Sequence, residues 1–109
     1  MSLRAYNPQA ARLYGVDAGS IKRRIDPRAF YEHELNVDIP RSHGWTKAGI
    51  CPFHDTEKRG SFAINLETGS FRCHSRKCGA HGSDVIAFTM QRYGLDFRSA
   101  LRQLLRDWS

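Results

Sequence analysis

From residue 96 onward, apolar positions follow a helical rhythm. Phe97, Ala100, Leu101, Leu104, Leu105 and Trp108 fall at i, i+3, i+4, i+7, i+8 and i+11. That spacing predicts one apolar stripe on a helix, packed as core against a sheet. Asp96 stands at its N-cap position. Arg98, Arg102 and Arg106 lie on the opposite face and read as a solvated surface. Upstream, Ile86, Met90 and Tyr93 recur at i, i+4 and i+7. They predict a second helix, opened by Ser83-Asp84 with the acid in its first turn and closed by Gly94. Asp26-Pro27 opens a third helix reaching about Leu35. Asn7-Pro8 opens a short one that Gly15 ends. Residues 1–25 are otherwise weakly patterned and read as an N-terminal extension to a domain over 26–109. Within the extension, Ile21-Lys22-Arg23-Arg24 is a small basic surface run.

Between these helices the period changes. Residues 36–44, with Pro40 and Gly44, read as loop. Trp45–Ile50 reads as a strand. Ser61 to Asn65 reads as a half-buried strand. Glu67-Thr68-Gly69 supplies a turn, and Ser70-Phe71-Arg72-Cys73 returns as the partner strand. Gly79-Ala80-His81-Gly82 is too glycine-rich for regular structure. The fold class expected is α+β, a small antiparallel sheet with flanking helices.

Charge narrows the partner. Lys and Arg number 17 against 11 acids, for a formal net charge of +6 and a pI near 9.7. An anionic partner follows, nucleic acid first. No apolar run approaches the about 18 residues of a membrane span, and the N-terminus lacks a stretch of signal-peptide length. The expectation is a soluble, cytoplasmic protein. Three cysteines make a poor disulfide framework and suit metal binding in a reducing compartment.

Those cysteines carry the clearest chemistry. Cys51-Pro52-Phe53-His54 is answered downstream by Cys73 and Cys78. Two donor pairs separated by a loop can enclose a tetrahedral Zn²⁺, and four protein donors close its coordination sphere. Such an ion is structural. His74 is a rival ligand, but it follows Cys73 directly, and neighbouring strand residues point to opposite faces. His81, in the glycine-rich segment, is a second rival. His33 and His43 read as ordinary surface residues. Nothing nucleophilic competes. There is no phosphate-cradling GxxxxGK[ST] loop and no His-Glu-x-x-His helix, and Glu32 and Glu34 flank His33 without sharing a helix face.

Cys51-Pro52-Phe53-His54, Gly60-Ser61-Phe62, Phe71-Arg72-Cys73, Cys78-Gly79-Ala80-His81-Gly82 and Asp84-Val85-Ile86-Ala87-Phe88 together resemble the Cys-His-Cys-Cys zinc-binding domain of bacterial and phage-type DNA primases. The resemblance covers about residues 45–108. It implies a zinc-ribbon-like fold, with one structural Zn²⁺ held by Cys51, His54, Cys73 and Cys78. It also implies contact with a single-stranded DNA template and help in choosing where RNA primers start. The family's second ligand pair is usually Cys-x-x-Cys, whereas four residues separate Cys73 from Cys78 here. Primer synthesis there requires a separate Toprim-type polymerase domain. A chain of 109 residues holding a zinc ribbon is therefore expected to be an accessory domain of a primase or a small stand-alone relative, not an enzyme by itself.

Single-strand binders pair a positive groove with aromatic platforms. Lys58, Arg59, Arg72, Arg76 and Lys77 lie on or near the expected hairpin and are the candidate phosphate contacts. Phe62 and Phe71 are interleaved with them as candidate platforms, although sheet core is the ordinary use of such residues. Trp45 can serve as a platform or a core anchor, again with core as the ordinary use. The alternative reading is a protein-interaction module docking on a helicase, a primase polymerase domain or another replication protein through the N-terminal segment and the last helix.

Overall fold

The computed structural model describes residues 17–54, 61–75 and 78–108. The helix expected from Asn7-Pro8 lies outside them. Among the described residues there are four helices, α1 (Asp17–Arg24), α2 (Pro27–Leu35), α3 (Val85–Tyr93) and α4 (Phe97–Trp108), and four short strands, β1 (Trp45–Lys47), β2 (Phe62–Asn65), β3 (Phe71–Cys73) and β4 (His81–Gly82). The strands form one antiparallel sheet in the order β1-β2-β3-β4. This is the α+β class that the pattern implied and the zinc-ribbon-like fold that the resemblance implied.

Local chemistry sets the helix ends. Asp26 caps α2 by accepting from the Ala29 N–H, and Asn36 leaves it in the left-handed conformation. Asp84 caps α3 through the Ala87 N–H at 2.8 Å, and Gly94 closes it at φ 65°. Asp84 thus stands one residue before the first turn rather than inside it. Asp96 caps α4 through the Ser99 N–H at 2.8 Å. The loop after α2 is tied back to it: Arg28 Nε donates to the Ile39 carbonyl at 2.6 Å, and the Ile39 N–H donates to Glu32 Oε2 at 2.7 Å. Ile39 enters the core as a result.

Several expectations are corrected. The first strand stops at Lys47, because Gly49 turns away at φ 86°. The glycine-rich segment after Cys78 is not irregular throughout: β4 pairs with β3, His81 opposite Arg72 and Gly82 opposite Phe71. Glycine is needed there for close approach. A Cβ at Gly82 would sit 2.8 Å from the Ala87 Cβ and collide with the Phe71 ring. On α3 the buried residues are Val85, Ile86, Phe88 and Thr89, whereas Tyr93 is 45% exposed and donates to Glu34 Oε1 at 2.6 Å. The α4 stripe packs against α3 and α1 rather than chiefly against the sheet, and its Phe97 is exposed. Helix α1 belongs to the same core through Ile21 and Ile25, with Lys22, Arg23 and Arg24 facing solvent. Two apolar residues at i, i+4 were too faint a signal to place it.

The core lies between one face of the sheet and the helices. Phe62 and Phe71 from the sheet meet Phe88 of α3, which Phe30 and Tyr31 of α2 also meet edge-on at 5.6 and 5.0 Å. Trp108 closes the far side, its ring 5.7 Å from Phe30. Tyr31 crosses to the hairpin and donates its hydroxyl to the Gly69 carbonyl at 2.7 Å. Burial, with smaller contributions from Asp84 and Glu34, holds that phenol well above its usual pKa. Gly69 itself has φ 82°, and a Cβ there would lie 3.3 Å from the Val85 backbone nitrogen.

Candidate metal centre and the open face of the sheet

Three short structures bring the donors together. Cys51 and His54 come from the turn after β1. Its intervening Phe53 stacks on Phe71 at 5.5 Å and meets Phe88 at 5.3 Å. Packing of Phe53 in the aromatic core orients this knuckle, and the Phe53 N–H donates to Cys51 Sγ at 3.4 Å. Cys73 ends β3, fixed by its N–H donating to the Ala80 carbonyl at 2.8 Å. Cys78 follows a turn in which the Cys78 and Gly79 N–H groups both donate to the Ser75 carbonyl.

The ligand atoms of Cys51, His54, Cys73 and Cys78 all lie within 4.8 Å of one another. Cys51 Sγ and Cys78 Sγ are 3.9 Å apart, and Cys73 Sγ is 3.3 Å from His54 Nε2. Zn–S and Zn–N bonds of about 2.3 and 2.0 Å at tetrahedral angles place such donors about 3.5–3.8 Å apart, so the set fits the ion. The electrostatics agree. Burial pushes the Cys51 thiol up to about 12, with Cys73 and Cys78 also raising it and the Phe53 N–H opposing. Adjacent thiolates need a cation to coexist, and a coordinated Zn²⁺ keeps them ionised. His74 and His81 are not in the cluster. His74 is exposed, and His81 Nδ1 contacts the Gly79 carbonyl at 2.9 Å.

The CHC2 zinc finger family model matches residues 20–109 of the chain. The chain belongs to the CHC2 zinc-finger family. Its cofactor is a structural zinc, and Cys51, His54, Cys73 and Cys78 are the donors placed to hold it. A DNA primase of Borreliella burgdorferi is 33% identical over 91 residues, covering 84% of this chain and 16% of that protein. A DNA primase of Mycolicibacterium smegmatis is 38% identical over 71 residues, covering 65% of this chain and 10% of that protein. The chain thus spans only a small part of the length of these relatives. No solved structure gives a significant match.

In this CHC2 domain the candidate nucleic-acid residues separate. Phe62 and Phe71, considered as base platforms, are 0% and 1% exposed. Both rings are committed to the core, so neither offers a face to a base. Arg72 points the other way, onto the open face of the sheet, and is exposed. Lys58, Arg59, Arg76 and Lys77 lie outside the described residues. Trp45 is corrected in the opposite sense: it is no core anchor but 52% exposed.

Strand register explains the sorting. Side chains alternate across a strand, and Lys47 pairs with Ala63, Ala63 with Arg72, and Arg72 with His81. These four form one row across the open face. Trp45 lies on the same face, two residues from Lys47. Lys47 escaped sequence reasoning because only the register shows that it shares a row with Arg72. An open concavity of about 670 Å³ covers this side, lined by Trp45, Arg72, His74 and His81 among others, and no carboxylate among the described residues lines it. Among the described residues no helix is long and apolar enough to cross a membrane.

Proposed function

We propose that this CHC2 segment recognises the single-stranded DNA template of a primase, with Cys51, His54, Cys73 and Cys78 as the ligands of its one structural zinc. The observation that carries the reading is the open face of the sheet: Lys47 and Arg72 in one row, an exposed aromatic beside them, and no acid among the described residues lining the concavity. Arg72 is a phosphate contact of this face, and Lys58, Arg59, Arg76 and Lys77 are proposed as further phosphate contacts from the sequence alone. Membership of the zinc-finger family and the similarity to two DNA primases support the setting. The metal orders the strands and does no chemistry, since its four donors leave no open position. Primer synthesis belongs to a polymerase domain with which this segment works, in the cytoplasm.

Fluorescence anisotropy with a labelled single-stranded oligonucleotide tests this. Affinity should fall with salt at a log–log slope of about −0.7 per phosphate contacted. No measurable binding at low salt would remove the reading. A second reading, docking on a helicase or another replication protein, is favoured by Tyr93 and Phe97. These lie 45% and 43% exposed on either side of the α3–α4 turn. Recovery of a replication protein that survives nuclease treatment, by a chain that does not bind DNA, would select it.

A further inference from the structure

We infer that the open face contains a subsite for a single nucleotide: Trp45 stacks the base, while Lys47 and Arg72 hold the flanking phosphates. This rests on the template-binding reading and assigns within it a residue class that phosphate attraction alone does not require. Three observations converge. Trp45 is the most exposed large hydrophobic side chain among the described residues, at 52%, although it sits in a strand whose neighbour is fully paired. An aromatic left on a sheet surface in this way keeps much of its ring in solvent. Next, Ala63 contributes only a methyl between Trp45 and Arg72, and the three line a hollow of about 280 Å³ with His74. A larger residue there would fill the gap. The third observation is charge. Among the described residues neither Lys47 nor Arg72 forms an ion pair, and none of the described carboxylates lines this hollow or the larger concavity.

The chemistry selects the occupant. An indole beside two cations that form no ion pair among the described residues, in hollows that no described carboxylate lines, suits a flat ring carried on an anionic backbone. A base-paired strand hides its ring faces by stacking, so the occupant is an unpaired nucleotide. Stacking on an aromatic tolerates every base, so the subsite holds the strand in register without itself choosing the sequence. Cation and platform are separable: Arg72 and Lys47 set the salt dependence, and Trp45 sets a salt-independent part of the affinity.

The test uses the zinc-loaded chain, oligothymidylate, and an abasic oligomer of the same length and charge. Replacing Trp45→Ala should weaken oligothymidylate binding by about five- to 150-fold, the range of one base–aromatic stack, with an unchanged salt slope. Trp45→Phe should restore most of it. The penalty for the abasic oligomer should shrink by the same factor in Trp45→Ala. If Trp45→Ala loses zinc, Trp45→Thr, which suits a strand, takes its place. Wild-type affinity for both oligomers in the Trp45 variants, with Arg72→Ala still weakened, would overturn the subsite and leave template binding standing. Absence of binding by the wild-type chain at low salt would overturn both.

Discussion

The two faces of the same sheet are built for opposite purposes. On the closed face Phe62, Ile64, Phe71 and Cys73 are all buried, joined to Phe53, Phe88 and the metal ligands. On the open face Trp45, Lys47, Arg72 and His81 remain in solvent. Residues adjacent in sequence, such as Phe71 and Arg72, thus serve different ends. Strands this short need their apolar face packed against other elements. The metal and the aromatic cluster hold the closed face, which leaves the open face free to carry charge. Stability and recognition should therefore respond to different substitutions.

The largest expected effect breaks the closed face. Cys73→Ser, or removal of zinc by a chelator, should abolish cooperative folding, because zinc binding and folding are one equilibrium worth about 10–16 kcal/mol in small zinc domains. Near-ultraviolet circular dichroism and zinc stoichiometry measure it. A Cys73→Ser protein that keeps one zinc and its fold would show the ligand set to be wrong. Next comes Phe88→Ala. This ring meets Phe30, Tyr31, Phe53, Phe62 and Phe71, and its loss should cost about 3–5 kcal/mol in urea unfolding of the zinc-bound chain.

Tyr31→Phe should cost less, about 1–3 kcal/mol, by leaving the Gly69 carbonyl without its donor. It also carries a pH signature. The folded-state pKa of Tyr31 is raised, so its stabilisation is complete below the ordinary tyrosine value near 10 and is lost as pH rises beyond it. The variant should lack that part of the alkaline loss of stability, and a wild-type alkaline limb identical to the variant's would refute the assignment. Smallest for stability, and sharpest for the comparison, is Arg72→Ala. It should leave unfolding within about 0.5 kcal/mol while reducing the salt slope of oligonucleotide binding by about 0.7. An equal loss of stability and binding would mean that the faces are not independent.

Much of this was legible in the chain. Asp26-Pro27, Asp84 and Asp96 mark helix starts because a short side-chain acceptor meets free N–H groups within three residues. Cys51, His54, Cys73 and Cys78 were legible for a similar reason, since metal donors announce themselves by type and spacing. Phe62, Phe71 and Trp45 were harder. An aromatic in a strand reads the same whether it faces core or solvent, and only pairing with neighbours decides. Residues 79–82 were misread because glycine usually signals irregularity, whereas Gly82 is there to let Phe71 and Ala87 approach.

The sequence by itself determined the α+β class, the helix caps, the Cys-His-Cys-Cys cluster and the basic balance, all of which depend on residues close together or on chemistry that few side chains possess. The tertiary structure decided which face each strand residue takes, that α4 packs on helices, and that Trp45, Lys47 and Arg72 share one surface. Those outcomes depend on the pairing of β1 with β2 and β2 with β3. A shift of one residue in that pairing would exchange the two faces, and no local pattern encodes it.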